Sequence, residues 1–279
     1  MKKKSVLDLY KMRDAGEKIA WITAYDAPTA SLAEQAGMDI LLVGDSVGMC
    51  IYGFNGTNEM TMPIMLAHTA AVRRAALNTF VIGDMPFLSY QIDCEEAIRN
   101  AGAFIRHGAD AIKLEGGRRV SDKIRAISDA GIVVFGHIGL TPQSSGQLGG
   151  FKAQGLTADS AKELIADAEA VQEAGARFLL VEAVAPEVTG IVRERLSIPV
   201  YGIGAGPHTD GELLIVSDLL GIFEAFKPKF VKRYAQLATT MKGAFVAYRE
   251  DVKNRAFPGP EHGYNMKPGE LEKLRATLA

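Results

Sequence analysis

The residues best able to do chemistry in this chain are charged side chains that end or directly follow short apolar runs. Asp45, Asp84 and Glu115 stand in such positions. Carboxylates supply only oxygen, the ligand type of a hard divalent cation such as Mg²⁺. A zinc site is disfavoured because neither HExxH nor CxxC occurs. A cation held by three carboxylates keeps open positions, and the keto and carboxylate oxygens of a 2-oxo acid can fill them, which stabilises the enolate.

Lys113 belongs to the same apolar run as Glu115, two residues away, so both side chains point to the same side of a strand. The lysine is placed to hold the carboxylate of a substrate by a charge-assisted hydrogen bond. A structural ion pair and a Schiff-base role remain as alternatives. The neighbouring carboxylates make Schiff-base chemistry redundant, and we therefore favour the binding role.

Two further side chains could serve proton transfer or substrate binding. Glu182 ends the apolar run Phe178-Leu-Leu-Val, where partial desolvation would make its carboxylate a stronger base. We predict that Glu182 is the general base, with a structural carboxylate as the alternative. His137 opens a loop after another apolar run, and it is either a substrate contact or a hydrogen-bonded structural residue.

The elements that must position these residues are short β-branched runs alternating with longer helical patterns, which is typical of a parallel sheet built from βαβ units. Eight strands predict a (β/α)8 barrel, whose chemistry lies at the carboxyl ends of the strands. An acidic residue after one strand is more often a helix cap or turn residue. Polar residues at six strand ends in succession, from Asp26 to Glu182, instead favour one shared site. The predicted strands are Ile19–Tyr25, Ile40–Gly44, Phe80–Asp84, Ala111–Glu115, Val133–His137, Phe178–Glu182, Val200–Gly204 and Leu213–Asp218.

The predicted helices between the strands are Pro28–Gly37, Met65–Leu77, Glu95–His107, Ser121–Ala130, Ala158–Ala174 and Glu187–Leu196. Beyond the strands, Pro228–Val252 reads as a long amphipathic helix that closes the barrel. Residues 254–279 form an extension expected to pack on the barrel or on a neighbouring subunit, and residues 1–279 are expected to form one barrel domain. The loop from Tyr52 to Thr57 is expected to cover the site, and the turn Gly202-Ile-Gly-Ala-Gly is a weak candidate for anion binding.

Composition narrows the class of protein. A formal net charge of −2 argues against a nucleic-acid partner. No apolar run approaches the ~20 residues of a membrane helix, so no membrane partner is expected. Two cysteines are too few for a disulfide framework. The basic segment Met1–Lys4 is not followed by the apolar core of a signal peptide, and we therefore expect a cytoplasmic protein.

Eight ordered motifs, spread over nearly the whole chain, resemble the ketopantoate hydroxymethyltransferase family. The resemblance implies a barrel of the phosphoenolpyruvate/pyruvate type. It also implies hydroxymethyl transfer from 5,10-methylenetetrahydrofolate to 3-methyl-2-oxobutanoate, a Mg²⁺ cofactor, and a cytoplasmic homodecamer. The motifs are Ile22-Thr-Ala-Tyr-Asp, Val43-Gly-Asp-Ser-Val-Gly-Met, Gly83-Asp-Met-Pro-Phe, Lys113-Leu-Glu-Gly-Gly, Gly136-His-Ile-Gly-Leu-Thr-Pro-Gln, Gly149-Gly-Phe-Lys-Ala-Gln-Gly, Val181-Glu-Ala-Val and Gly202-Ile-Gly-Ala-Gly.

The resemblance also implies roles for individual residues. Asp45, Asp84 and Glu115 are similar to the family's Mg²⁺ ligands. The family's oxo-acid contacts match Asp45, Ser46, Asp84 and Lys113, and its proton acceptor matches Glu182.

The chain departs from the family pattern at six positions, none of which is a predicted metal ligand or the base. These departures could alter the covering loop, the folate site or the pocket for the branched side chain. A metal-dependent lyase or condensing enzyme for another 2-oxo acid is therefore the first alternative, and a catalytically silent barrel with a binding role is the second. The departing residues are Asn58, Glu59, Ala183, Ala185, Glu212 and Ser217.

Overall fold

A computed structural model describes residues 3–279, so Met1 and Lys2, which begin the basic segment considered for a signal peptide, lie outside the described residues. Eight parallel strands pair in chain order, and β8 pairs with β1 to close the barrel. The fold is therefore the predicted (β/α)8 barrel. Its strands are β1 (Ile19–Thr23), β2 (Ile40–Val43), β3 (Phe80–Asp84), β4 (Ala111–Glu115), β5 (Val134–Gly139), β6 (Phe178–Glu182), β7 (Val200–Ile203) and β8 (Gly211–Leu214).

The six helices predicted between the strands agree with the structure to within three residues at each end, whereas the short helices α3 and α7, which also lie between strands, were not predicted. Helix α1 lies outside the predicted elements, and it is capped by reciprocal hydrogen bonds between Ser5 and Asp8. The α-helices are α1 (Val6–Asp14), α2 (Ala27–Gln35), α3 (Val47–Cys50), α4 (Met62–Ala75), α5 (Cys94–Arg106), α6 (Ser121–Asp129), α7 (Ser145–Leu148), α8 (Ala158–Glu173), α9 (Pro186–Arg195), α10 (Val216–Leu219), α11 (Leu237–Lys253) and α12 (Glu270–Leu278).

Alternation along each strand divides the apolar residues between two cores. One side of each strand points into the barrel, where the rings of Phe135 and Phe178 stack with centroids 4.2 Å apart. Leu9 of α1 is fully buried in this inner core, so α1 plugs the amino-terminal end of the barrel. The other side packs against helices. At Gly83 a Cβ atom would lie 2.3 Å from the ring of Phe104, so only glycine permits this close approach of α5 to β3. The filled interior leaves the carboxyl ends of the strands as the place for a site.

The predicted eighth strand, Leu213–Asp218, is wrong in its last four residues. β8 is Gly211–Leu214, and the next residues form α10. The β-branched pair Ile215-Val216 suggested a strand, but the backbone N–H of Leu219 donates to the carbonyl of Ile215 and begins a helical turn. Local hydrogen bonding therefore ends the strand early.

The predicted closing helix, Pro228–Val252, is also wrong in its start and its packing. Helix α11 begins at Leu237, because the backbone N–H groups of Tyr234 and Leu237 donate instead to Leu219 and Leu220. No residue of α11 is buried, and all except Leu237 and Ala238 are exposed, so this helix does not close its own barrel. Residues 254–279, including α12, are also almost entirely exposed.

Within residues 3–279, no helix has the length and apolar character needed to cross a membrane.

Candidate active site

The carboxyl ends of the strands surround a cavity of about 410 Å³. The structure brings all the candidate residues into this one cavity, although they come from five strands or the loops that follow them. Apolar side chains from the barrel interior, such as Leu180 and Leu213, line the cavity as well. The candidate residues lining it are Asp45, Ser46, Asp84, Lys113, Glu115, His137 and Glu182.

Lys113 lies at the centre of the acidic group. Its Nζ donates to Asp84 Oδ1 and lies 3.6 Å from Glu115 Oε1, and all three side chains are buried. Burial alone would lower the pKa of Lys113, but the carboxylates of Asp84 and Glu115 raise it above its ordinary value. The side chain is therefore a cation at neutral pH. A protonated amine is a poor nucleophile, which disfavours the Schiff-base alternative and suits the binding of an anionic substrate group.

The buried carboxylates outnumber the cations beside them. Burial raises the pKa of Asp45 and the negative charge of Asp84 adds to that effect, while Lys113 opposes it. For Glu115 the balance is different, because Lys113 and His137 lower its pKa in spite of burial. An additional positive charge near Asp45 would stabilise its ionised carboxylate and so lower its pKa.

A divalent cation fits this donor set. Glu115 Oε1 is buried and makes no hydrogen bond to any described residue, so it retains lone pairs for a ligand. No three His, Cys, Asp or Glu side chains among residues 3–279 already surround a single point at ligand spacing. The physical reason is that Asp84 turns toward the ammonium group of Lys113, while Asp45 accepts a hydrogen bond from Gln143. Cation binding would therefore require rotation of these side chains.

His137 lies between Glu115 and Glu182. Its Nε2 is 3.2 Å from Glu182 Oε2, and its Nδ1 is 3.4 Å from Glu115 Oε1. Both contacts lack hydrogen-bond geometry, so charge attraction is the main interaction. Burial alone would lower the pKa of His137, but the two carboxylates raise it to about 9. A charged imidazolium thus connects the predicted ligand group to the predicted base.

Asp26 is the strand-end residue that does not join the cavity. Its side chain accepts a hydrogen bond from the backbone N–H of Thr29 at 2.8 Å, and Asp26 is the N-cap of α2. Its inclusion among the converging strand ends was wrong, because a helix begins directly after β1. Ser46 lies in the cavity, with its Oγ 2.8 Å from the hydroxyl of Tyr25.

Sequence reasoning missed two buried residues, Gln143 and Tyr90, that connect the acidic residues. Gln143 Nε2 donates to Asp45 Oδ2 at 2.9 Å, and the Gln143 backbone N–H donates to Glu115 Oε2 at 3.0 Å. The hydroxyl of Tyr90 donates to Gln143 Oε1 at 2.8 Å, and it accepts from the Glu115 backbone N–H at 3.0 Å. Neither residue ends a strand, so the strand-end criterion could not find them. Gln143 does stand in the motif that follows His137, which was the available signal.

The covering loop and the departing residues lie around this group, and of the six departing residues only Ala183 lines the same cavity. The hydroxyl of Tyr52 bonds to Nε2 of His68 at 3.0 Å, which ties the loop to α4. Thr57 is buried and lines the cavity, while Asn58 and Glu59 are exposed. Ala183 follows the predicted base with a left-handed φ of +49°, an unusual conformation for alanine. The other departing residues, Ala185, Glu212 and Ser217, lie outside the group of charged side chains.

A closed parallel barrel with buried carboxylates and a buried lysine at its carboxyl-end mouth defines a (β/α)8-barrel enzyme. The family model described as ketopantoate hydroxymethyltransferase matches residues 3–260. The chain belongs to the ketopantoate hydroxymethyltransferase family.

Two relatives illustrate the similarity, and both are named 3-methyl-2-oxobutanoate hydroxymethyltransferase. The protein of Alkaliphilus metalliredigens (strain QYMF) is 59% identical over 276 residues, which is 98% of each chain. The protein of Bacillus subtilis (strain 168) is 48% identical over 272 residues, covering 97% of this chain and 98% of the relative.

Solved structures with a similar fold are more distant in sequence. A phosphonopyruvate hydrolase complex with oxalate and Mg²⁺ gives a TM-score of 0.59 at 16% identity, covering 99% of this chain and 96% of the other. A 2,3-dimethylmalate lyase, a member of the PEP mutase/isocitrate lyase superfamily, gives 0.58 at 18% identity, covering 98% of both chains. These likenesses show the fold alone, a (β/α)8 barrel that the solved structures share with this chain.

Proposed function

We propose that this chain transfers a hydroxymethyl group from 5,10-methylenetetrahydrofolate to 3-methyl-2-oxobutanoate and releases 2-dehydropantoate, the first step of pantothenate biosynthesis. The observation that carries the proposal is the gathering of the seven predicted site residues in one cavity. In the reaction a carbon–carbon bond forms between C3 of the oxo acid and the methylene carbon. The C3 proton leaves, both C–N bonds that join the methylene group to the folate break, and a water molecule supplies the hydroxyl group. The C3 proton and the remaining proton of water are taken up by the two folate nitrogens, and tetrahydrofolate is the leaving group.

Asp45, Asp84 and Glu115 are the proposed ligands of Mg²⁺. A carboxylate donor set, with an excess of buried negative charge, suits a hard divalent cation. When bound, this cation would polarise the keto group of the oxo acid and lower the barrier to enolate formation. Rotation of Asp84 toward the ion would free the ammonium group of Lys113 for the carboxylate of the substrate.

Glu182 is the proposed base that removes the proton from C3. Its side chain is 16% exposed at the edge of the cavity, whereas the ligand carboxylates lie deeper. The imidazolium of His137 holds Glu182 on the cavity side by charge attraction. This contact gives His137 a positioning role for the base, in addition to its predicted contact with the substrate.

The cavity also has a suitable apolar part for a branched substrate. Leu42, Leu180 and Leu213 line it from the barrel interior. An isopropyl group can pack there while the two oxygen functions of the oxo acid face the carboxylates and Lys113. Burial of three or four carbon atoms at this position contributes roughly 0.8 kcal/mol per CH₂ group to binding.

We also propose that the protein is a homo-oligomer, and a decamer is what the family resemblance implies. Helix α11 carries an exposed apolar face, and a groove of about 1360 Å³ lies beside β1 and β8, where a closing helix is absent. Met241, Phe245, Tyr248 and Val252 have the spacing of one helix face and are each at least 43% exposed. Insertion of α11 into the groove of a neighbouring copy would cover both surfaces.

Deuterium exchange at C3 of 3-methyl-2-oxobutanoate, followed by NMR with and without Mg²⁺ and before any folate is added, tests the proposed chemistry. We expect Mg²⁺-dependent exchange, followed by formation of 2-dehydropantoate when methylenetetrahydrofolate is supplied. Oxaloacetate and 2-methylisocitrate serve as controls for the lyase alternative. The proposal would be overturned if the protein cleaved either control compound and neither exchanged the C3 proton of 3-methyl-2-oxobutanoate nor transferred a hydroxymethyl group to it.

A further inference from the structure

The carboxyl end of β1 carries two buried hydroxyl side chains that the proposed chemistry does not use. Thr23 ends the strand and Tyr25 follows two residues later, and both side chains are buried. The Tyr25 hydroxyl lies 2.8 Å from Oγ of Ser46, a residue that lines the cavity. Ser46 Oγ has no other hydrogen-bond partner among residues 3–279. A serine hydroxyl can donate once and accept twice, so Ser46 keeps hydrogen-bonding capacity for a bound ligand.

A backbone donor sets the direction of the hydrogen bonds that reach Ser46. The backbone N–H of Val216 donates to Thr23 Oγ1 at 2.9 Å, so the Thr23 hydroxyl keeps its own hydrogen for another acceptor. The side chain of Thr23 also forms a hydrogen bond with the hydroxyl of Tyr25. Because a backbone N–H group can only donate, the hydrogen of Thr23 points to Tyr25, and that of Tyr25 points to Ser46. The hydrogen of Ser46 is then directed away from Tyr25.

Tyr25 acts as a donor in this series of hydrogen bonds. Burial raises the pKa of its hydroxyl well above the ordinary value, and Cys50 adds to that effect, while the hydrogen bonds with Ser46 and Thr23 oppose it. The phenol therefore keeps its proton at neutral pH. Cys50 lies beside the hydroxyl, but a thiol sulfur is a weak acceptor, so the oxygen of Ser46 is the preferred one.

We propose that Thr23 and Tyr25 are positioning residues, which orient the Ser46 hydroxyl so that it donates a hydrogen bond to an oxygen of the bound 2-oxo acid. The inference rests on the proposed function, in which Ser46 is one of the residues that contact the oxo acid. A serine hydroxyl without a fixed partner rotates among several positions. Fixing that rotation before the substrate arrives reduces the entropic cost of binding.

The test measures the Kd of 3-methyl-2-oxobutanoate by calorimetry and its KM in folate-free C3 exchange, both with Mg²⁺. Tyr25→Phe removes only the hydroxyl, and we expect both constants to rise about 3-fold to 10-fold, the usual effect of losing one hydrogen bond. The effect should fall on the KM more than on kcat, because the proposed base and ligands are unchanged. In a Ser46→Ala background Tyr25→Phe should have no further effect, since the hydroxyl that it orients is then absent.

Thr23 supplies a second test that does not depend on Tyr25→Phe. Thr23→Val removes the hydroxyl that connects Val216 to Tyr25, so both constants should rise in the same direction. Thr23→Ser keeps a hydroxyl at this position and should hold both constants within about 2-fold of the wild-type values.

Tyr201→Phe is the matched control. Tyr201 is also buried, its hydroxyl has no partner among residues 3–279, and it does not line the cavity, so this variant should keep the wild-type constants. Additive effects of Tyr25→Phe and Ser46→Ala, or equal effects of Tyr25→Phe and Tyr201→Phe, would overturn the inference. Wild-type constants in both Tyr25→Phe and Thr23→Val would also overturn it. A wild-type protein that shows neither exchange nor transfer contradicts the proposed function itself.

Discussion

At the residue scale, the site contains buried carboxylates, which we propose bind the cation, and one carboxylate at the cavity edge, which we propose removes the proton. Asp45, Asp84 and Glu115 are almost fully buried, whereas Glu182 reaches the edge of the cavity. Buried carboxylates favour cation binding because water does not solvate their negative charge, which a bound cation can then balance. A carboxylate at the edge can exchange its proton with solvent, as a general base must do.

Glu182→Gln tests the base directly. The amide keeps the size of the side chain but cannot accept the C3 proton. We expect folate-free deuterium exchange to fall by about 10²-fold to 10⁴-fold, which is the usual contribution of a general base. Binding of Mn²⁺ and of 3-methyl-2-oxobutanoate, measured by EPR and calorimetry, should change little. Exchange at the wild-type rate would remove Glu182 from this role.

Gln143→Leu tests whether the buried amide positions the proposed ligands. The change removes the hydrogen bonds that Gln143 donates to Asp45 Oδ2 and to the Met85 carbonyl, so we expect a loss of about 1–3 kcal/mol in unfolding free energy. The Tyr90 hydroxyl loses one acceptor but keeps its contacts with the Glu115 backbone. We also expect the Mn²⁺ affinity to fall by roughly 10-fold to 100-fold.

Leu164→Ala is the control for this variant, since Leu164 is buried in α8 and does not line the cavity. It should lose comparable stability and keep its Mn²⁺ affinity. If both variants bind Mn²⁺ like the wild type, Gln143 has only a structural role.

At the element scale, the outer face of β8 carries an acidic residue in the groove beside β1. Burial raises the pKa of Glu212 to about 7, while a hydrogen bond from Gly204 and the charge of Lys18 oppose the shift. The side chain still contacts solvent, so the energetic effect is smaller than the shift suggests.

Glu212→Gln should therefore stabilise the protein at alkaline pH. A carboxyl group whose folded-state pKa lies above its ordinary value of 4.5 favours folding while protonated, and this stability is lost as the pH rises through about 7. We expect a gain of less than ~1 kcal/mol at pH ~8.5 and little change at pH ~4.5. Thermal midpoints of wild type and variant at both pH values provide the measurement. An identical difference at the two pH values contradicts titration of Glu212.

At the scale of the whole molecule, helix α11 follows the last strand but does not cover its own barrel. The groove beside β1 and β8 and the apolar face of α11 are both unpartnered within the described part of the chain. Apolar surfaces of this size on one chain are typical of association sites.

Phe245→Asp tests the association. A charge at the centre of the apolar face of α11 should release smaller species, because a buried carboxylate without a partner is strongly unfavourable. The molar mass from light scattering gives the result. Ala247→Asp adds the same charge on the opposite side of the helix and should leave the mass unchanged. A monomeric wild type would contradict the oligomer proposal.

The sequence alone determined the alternating pattern of strands and helices, and with it the closed barrel and the place of its site. Local patterns suffice here because the strands are short and apolar and several of them end on a charged residue, so Asp84, Glu115 and Glu182 could be predicted as strand-end residues. Tertiary structure decided what local patterns do not encode. It assigned Asp26 to a helix cap, brought Tyr90 and Gln143 against the acidic group, and separated α11 from its own barrel. These outcomes depend on contacts between residues far apart in the chain, where packing and hydrogen bonding override local preference.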